Sequence, residues 1–320
     1  MATVPDPRGQ HFVTCESCED NVQFYCRPCK IRLCVKCVSP HLETNAPDHN
    51  IIYYHKRFDT PTKYFYDPFT IRKIPGGNQT MHCIKYAGND QIYYCSQGSF
   101  DIELFLTDGT SVYTFSSQSL PSHLTPYEDG VLYTVAEEIR KINFEGDETF
   151  LHIDGWLRGI EFVEPNFIFF CNSSKVEKYT TGGERLLKIK YNDQGQPIYS
   201  SINRNGDICV SEYDATGYDD PVVTVVDEFG KYRFSYYPDP SSWPMDLCCD
   251  SCCHIIIASS TIHVIGKYGN FLRYLAYDGI KHPCSVTIDS EDNLFVSEMS
   301  DGHIRMVQYL YKPVLKSNNS

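Results

Sequence analysis

Between Cys15 and His49 runs the densest set of metal-ligating side chains in the sequence: Cys15, Cys18, Cys26, Cys29, Cys34, Cys37, His41 and His49. The cysteines fall in three pairs, each separated by two residues, and a tight knuckle of that length can turn two sulfurs onto one ion. Eight Cys and His ligands suit two tetrahedral zinc ions. With four protein ligands to each ion, no position stays open for water, so the chemistry expected is structural and not catalytic. Spacing alone leaves two pairings open, one joining neighbouring knuckles and one interleaving them. His11 and His55 flank the run, which makes His49 the ligand with the nearest substitutes.

The segment that must hold these ligands is short. About fifty residues bury too little apolar surface to fold alone, and each structural zinc contributes on the order of 10–16 kcal/mol to folding. Phe24, Tyr25, Ile31, Leu33 and Val35 lie between the knuckles as a small apolar cluster. The pattern resembles the B-box of the tripartite motif family. The resemblance implies a cross-braced arrangement, with Cys15, Cys18, Cys34 and Cys37 on one zinc and Cys26, Cys29, His41 and His49 on the other. Cys18 stands where the family often has His, and the interval from His41 to His49 is at the long end of the family pattern. The family's RING finger and coiled coil are not visible: fourteen residues precede Cys15, and no heptad of apolar positions follows. Intrinsic ubiquitin-ligase activity, which the RING supplies in that family, is therefore not expected, and neither is its coiled-coil dimer. We expect a B-box-type module over 10–54 and a linker over 55–63.

The rest of the sequence repeats. Turn-then-strand units recur at Asn89–Cys95, Glu128–Thr134, Glu164–Phe170, Arg204–Val210, Asp250–Ile257 and Ser290–Val296, spaced by about 40 residues, the length of a propeller blade. In five of the units a second hairpin follows, turning at Gly109, Gly146, Gly183, Gly230 and Gly269, where glycine accepts a positive φ without steric cost. Two hairpins make four strands, which is one blade. The sixth unit ends early, before Lys312-Pro313, and Phe69–Ile74 is the expected donor of its missing strand, closing the ring and hiding two edges. The fold predicted is mainly β: the small zinc-stabilised module, then a six-bladed β-propeller over 64–311 closed by strand 69–74, then a disordered tail over 312–320. Trp243–Ser259 and His282–Glu298 resemble NHL repeats, so the whole chain resembles a shortened NHL-bearing tripartite motif protein.

Net charge is −13. Acidic and basic residues balance through residue 59, so the excess belongs to the repeats, and an acidic domain repels phosphate backbones on average. RNA binding, which some NHL propellers perform, is thus the weaker expectation, and a protein partner on the propeller face the stronger. The longest insertion, Glu212–Pro221, offers Tyr213, Asp214, Tyr218 and Asp219 as candidate contacts to a basic peptide. Cys248, Cys249, Cys252 and Cys253 tempt a third metal site, but adjacent strand residues point to opposite faces, and packing is the expected role. Cys83, Cys95, Cys171, Cys209 and Cys284 read as core. No nucleophile elbow, phosphate loop or zinc-protease helix motif occurs. No apolar stretch suits a membrane span and no signal-peptide core opens the sequence, so we expect a monomeric cytoplasmic scaffold or adaptor, in the ubiquitin or innate-immune pathways that the resemblance implies, and not an enzyme.

Overall fold

The computed structural model describes residues 15–18, 20, 22–26, 29, 31–42, 51–53, 65–75, 81–165, 167–172, 175–190, 195–214, 222–238, 246–275, 280, 282–299 and 302–310. The chain divides into two compact units, Met1–Lys63 and Tyr64–Ser320. The tail expected over 312–320 lies outside the described residues.

In the first unit, strands β1 (Phe24–Cys26), β2 (Ile31–Leu33) and β3 (Ile51–Tyr53) form an antiparallel sheet in the order β2-β1-β3, and helix α1 (Val35–Leu42) follows β2. The hairpin register sets Cys26 opposite Ile31. Its buried apolar residues among those described are Cys15, Cys26, Leu33 and Cys34. Three of those four are cysteines, so the interior is made of sulfur more than of hydrocarbon.

The second unit begins with β4 (Phe65–Pro75) and then runs through blades of antiparallel strands. The first blade is β5 (Met81–Gly88), β6 (Gln91–Ser96), β7 (Asp101–Leu106) and β8 (Ser111–Ser116). The second is β9 (Leu124–Tyr127), β10 (Gly130–Val135), β11 (Glu138–Asn143) and β12 (Gly146–His152), and the third β13 (Leu157–Val163), β14 (Phe167–Asn172), β15 (Lys175–Thr180) and β16 (Arg185–Lys190). The fourth is β17 (Gly195–Ile202), β18 (Ile208–Asp214), β19 (Val222–Val226) and β20 (Tyr232–Tyr236), and the fifth β21 (Asp246–Cys249), β22 (Ile255–Ala258), β23 (Ile262–Ile265) and β24 (Phe271–Tyr274). The sixth takes β25 (Pro283–Ile288), β26 (Leu294–Glu298) and β27 (His303–Leu310) from the end of the chain and β4 from its other side, with Pro75 opposite His303 and Phe65 opposite Leu310. That strand is longer than the 69–74 segment the sequence suggests, because pairing continues past a bulge to Phe65. The result is a six-bladed β-propeller.

The core lies between blades. Alternate residues of each second strand face opposite neighbours: Ile92 and Tyr94 of β6 join Phe295 and Ile304 of the sixth blade, while Tyr93 and Cys95 join Val131 and Tyr133 of the second. Six such clusters close the circle. This explains why the second strands are apolar at nearly every position instead of alternating: both faces are covered, as in other sheets packed on two sides.

Outer turns interlock with the preceding blade. Gly269, with φ of +83°, sits against the Phe234 ring of blade four, and a Cβ there would lie 2.6 Å from Phe234 Cδ2. Alanine adds both a clash and a strained backbone. Gly269→Ala is expected to lower stability by about 1–3 kcal/mol, read as a lower urea midpoint at unchanged slope.

Candidate functional site

In the first unit, the chain before β1 and the turn from β2 into α1 bring Cys15, Cys18, Cys34 and Cys37 together, and their sulfurs all lie within 4.8 Å of one another. Cys18 Sγ is 3.4 Å from both Cys34 Sγ and Cys37 Sγ. Four sulfurs around a tetrahedral zinc at about 2.3 Å would stand about 3.8 Å apart, so the spacing fits an ion. None of the fifteen cysteines is in a disulfide. The turn is fixed by the backbone: Cys37 N donates to Cys34 O at 3.1 Å, and Ser17 N donates to Cys15 Sγ at 3.4 Å. A second group, Cys26, Cys29 and His41, gathers within the same 4.8 Å limit, Cys26 from β1 and His41 from the last turn of α1. His49, the fourth ligand expected there, lies outside the described residues. The interleaved grouping is therefore the one the fold brings together: first knuckle with third, second knuckle with the helix.

A third gathering, Asp250, Cys252 and His254, has the same ligand types. Its geometry is that of a turn. Asp250 Oδ1 accepts from Cys252 N and His254 N, both at 2.8 Å, while Oδ2 is hydrogen-bonded to His254 Nδ1 at 2.7 Å and to the Tyr309 hydroxyl at 3.0 Å. The sixth blade repeats the device with no cysteine or histidine: Asp289 Oδ1 accepts from Glu291 N and Asn293 N, and Oδ2 accepts from Asn293 Nδ2. Cys248 and Cys249 sit on β21, Cys248 buried.

The axis carries charged groups that no sequence motif marks. The innermost strands β5, β9, β13, β17, β21 and β25 touch one another in turn, and β25 meets β5. Lys85 of β5 and Glu161 of β13 form an ion pair at 3.7 Å. One strand separates theirs in the ring, so the two side chains reach across it. His123, just before β9, meets Tyr199 of β17 edge-on with ring centres 4.6 Å apart, which also skips a blade. Asp246 of β21 completes the charged group. Its Oδ1 accepts from Leu247 N at 2.8 Å, and its Oδ2 accepts from Ser285 Oγ at 2.5 Å and Val286 N at 3.1 Å, while Ser285 Oγ in turn accepts from Ile84 N. Burial alone would push the Lys85 ammonium down, but Asp246 and then Glu161 hold it well above the ordinary lysine range. Burial raises Glu161, and Lys85 partly offsets the shift. The available signal was a lysine and two carboxylates on strands that are mostly apolar.

Of the insertion residues, Tyr213 and Asp214 end strand β18, opposite Gln196 and Gly195. Tyr218 and Asp219 lie outside the described residues. No described helix is long and apolar enough to cross a membrane.

No family model matches the chain, and no curated protein matches it. Solved propellers do. The gluconolactonase of Xanthomonas campestris superposes with a TM-score of 0.60 at 11% identity, over 76% of this chain and 89% of that one. The WD40 propeller domain of Doa1 gives 0.55 at 10% identity, over 75% and 97%. A catalytically inactive variant of virginiamycin B lyase from Staphylococcus aureus, with quinupristin, gives 0.53 at 15% identity, over 78% and 90%. At such identities the likeness is one of fold: these neighbours include a WD40 domain, a gluconolactonase and a lyase variant on the same architecture, and chemistry is carried by sites, not by the fold.

Proposed function

We propose that the protein is a zinc-stabilised interaction scaffold, with a B-box-like module folded by two structural ions and an NHL-like propeller that presents a rigid surface to a protein partner. Cys15, Cys18, Cys34 and Cys37 would hold one zinc; Cys26, Cys29 and His41, with His49 as the expected fourth ligand, would hold the other. The ions supply folding free energy and no reaction step. For the propeller, the supporting observation is a rigid disc with large apolar side chains left in solvent. Every space between neighbouring blades is filled by a buried cluster, yet Trp156 is 61% exposed and Tyr237 64%. Rigid presentation of exposed aromatic anchors is how interfaces concentrate binding energy at low entropic cost.

The tripartite motif resemblance points to adaptor roles in ubiquitin or innate-immune pathways, in the cytoplasm. The test is reconstitution. A partner recovered with the full chain from cells, then purified, is expected to form an equimolar complex on a sizing column. If no purified candidate associates, the scaffold reading falls.

A further inference from the structure

Where blade four meets blade five, two thiols touch. Cys249, at the end of β21, has its Sγ 3.9 Å from the Sγ of Cys209 on β18. The framework on both sides sets this approach. Cys209 lies in the ladder between Ser201 and Val225, and Cys249 is paired with Ile255. Leu247 and Ile255 pack with Cys209 in the cluster that fills the space between these blades. The neighbouring turns are joined as well: Asn203 Nδ2, just after β17, donates to Cys253 O, just before β22, at 3.1 Å. Strands β18 and β21 approach within 8 Å at their Cα atoms. Sulfurs in contact must close to about 2.05 Å to bond, and side-chain rotation supplies a shift of that size when the backbones already lie near each other.

Access to solvent differs within the pair. Cys209 is buried, while Cys249 is partly exposed, as are Cys252 and Cys253 in the turn that follows. A small oxidant can therefore meet Cys249 but not Cys209. Cys83 and Cys95 provide the contrast: they stand directly opposite each other in β5 and β6, and both are buried. Hydrogen bonding with Cys209, and then burial, hold the Cys249 thiol well above its ordinary range. The thiolate is the nucleophile, so Cys249 reacts slowly and answers to sustained, not brief, oxidant exposure.

We propose that Cys209 and Cys249 are a modification site, oxidised by peroxide to a disulfide that locks blade four to blade five. Cys249 gives up its proton and its sulfur attacks one peroxide oxygen. The O–O bond breaks, and the departing hydroxide takes the proton and leaves as water, so that Cys249 becomes a sulfenic acid. Cys209 then attacks that sulfur. The S–S bond forms, the S–O bond breaks, and hydroxide leaves with the Cys209 proton as a second water. The two thiols lose two electrons and one peroxide accepts them. In the reduced protein, packing holds the two blades together. The bond adds a covalent tie that restricts about forty residues of the unfolded chain. This inference goes beyond the scaffold reading and does not depend on it.

The experiment treats the reduced full chain with hydrogen peroxide, alkylates the remaining thiols in denaturant, and maps the digest by mass spectrometry. A peptide linked through Cys209 and Cys249 is expected, with Cys83 and Cys95 recovered alkylated. Peptides of the first unit are mapped separately, so oxidation of its thiols does not enter the result. In Cys209→Ser, a dimedone-type probe is expected to label Cys249 and no link to form; in Cys249→Ser, Cys209 is expected to stay reduced. Cys209→Ala replaces the serine variant if the hydroxyl unsettles the core. Oxidation of the parent chain is expected to raise the melting temperature of the propeller by at least about 5 °C, and a thiol reductant to reverse the rise. Recovery of both Cys209 and Cys249 as free thiols after the first unit's cysteines have oxidised overturns the site. Oxidation of Cys209 in the Cys249→Ser chain does the same, and a mapped link with no rise in melting temperature overturns the lock.

Discussion

Chelation is expected to unfold the first unit and leave the propeller intact. The described apolar interior of that unit is Leu33 and three cysteines, and a Leu side chain contributes only about 1.5–3 kcal/mol on burial. Two ions at on the order of 10–16 kcal/mol each exceed that several-fold. Without them, thiols held 3.4 Å apart around Cys18 lose the reason for their convergence. Amide resonances of β1, β2 and α1 should collapse into the unfolded range on treatment with a strong chelator, while those of β5 through β27 stay dispersed. Elemental analysis should give about two zincs per chain. Ligand thiols must be deprotonated to bind, so acidification should release the metal as well. A first unit whose resonances survive chelation would show that hydrocarbon packing, not metal, holds it.

Lys85→Met should destabilise the propeller. Methionine fills a similar volume, so packing is largely kept and the change isolates charge. What it removes is the ammonium that reaches across the ring to Glu161 and acts on Asp246. Breaking a fully buried ion pair by deleting one partner costs about 3–5 kcal/mol, because the other charge stays desolvated; Glu161 is 25% exposed, so the loss expected here lies below that range. Adding Glu161→Gln should recover part of the loss, since a neutral amide needs no counter-ion. The pH dependence has a definite sign. Burial already holds Glu161 above the usual carboxylate range, and losing Lys85 raises it further. The folded variant then takes up a proton more readily than the unfolded chain, so its stability improves as pH falls through the raised value. In the parent protein, Lys85 is held above its unfolded value, so its contribution is complete below the ordinary lysine range and is lost only as strongly alkaline pH passes the raised value. Urea midpoints of the single and double variants at neutral and mildly acidic pH measure both effects. A loss under about 1 kcal/mol for Lys85→Met would mean that solvent, not Lys85, compensates Glu161.

Much of the architecture was legible in the sequence. Runs such as Ile92-Tyr-Tyr-Cys95 are apolar without alternation because each second strand is covered on both faces, and the Gly turns mark where hairpins reverse. The short sixth repeat announced a borrowed strand, and β4 is paired with β27. Its extension to Phe65 was not legible, because a bulge between Gln308 and Leu310 carries the pairing on past the point where the strand pattern weakens. In the candidate metal centre the ligand types were plain, but their partition was not. Spacing allows the knuckle at Cys26 and Cys29 to share an ion with either neighbour, and only the packing of α1 against the hairpin brings Cys34 and Cys37 to Cys15 and Cys18. The Asp250 turn shows the converse. Cysteines there tempt a metal reading that the sequence already set aside for packing, and the Asp250 carboxylate caps its turn as Asp289 does in the sixth blade.

By itself the sequence determined the repeat length and the number of blades and pointed to the cysteine groups, because each rests on spacings of a few residues or on a period that local strand and turn preferences enforce. Only tertiary structure decided that Lys85 meets Glu161 and that His123 meets Tyr199. Those relations join residues from different blades. They come into being when the circle closes and a linear order becomes a ring, in which residues far apart along the chain are brought across a common axis.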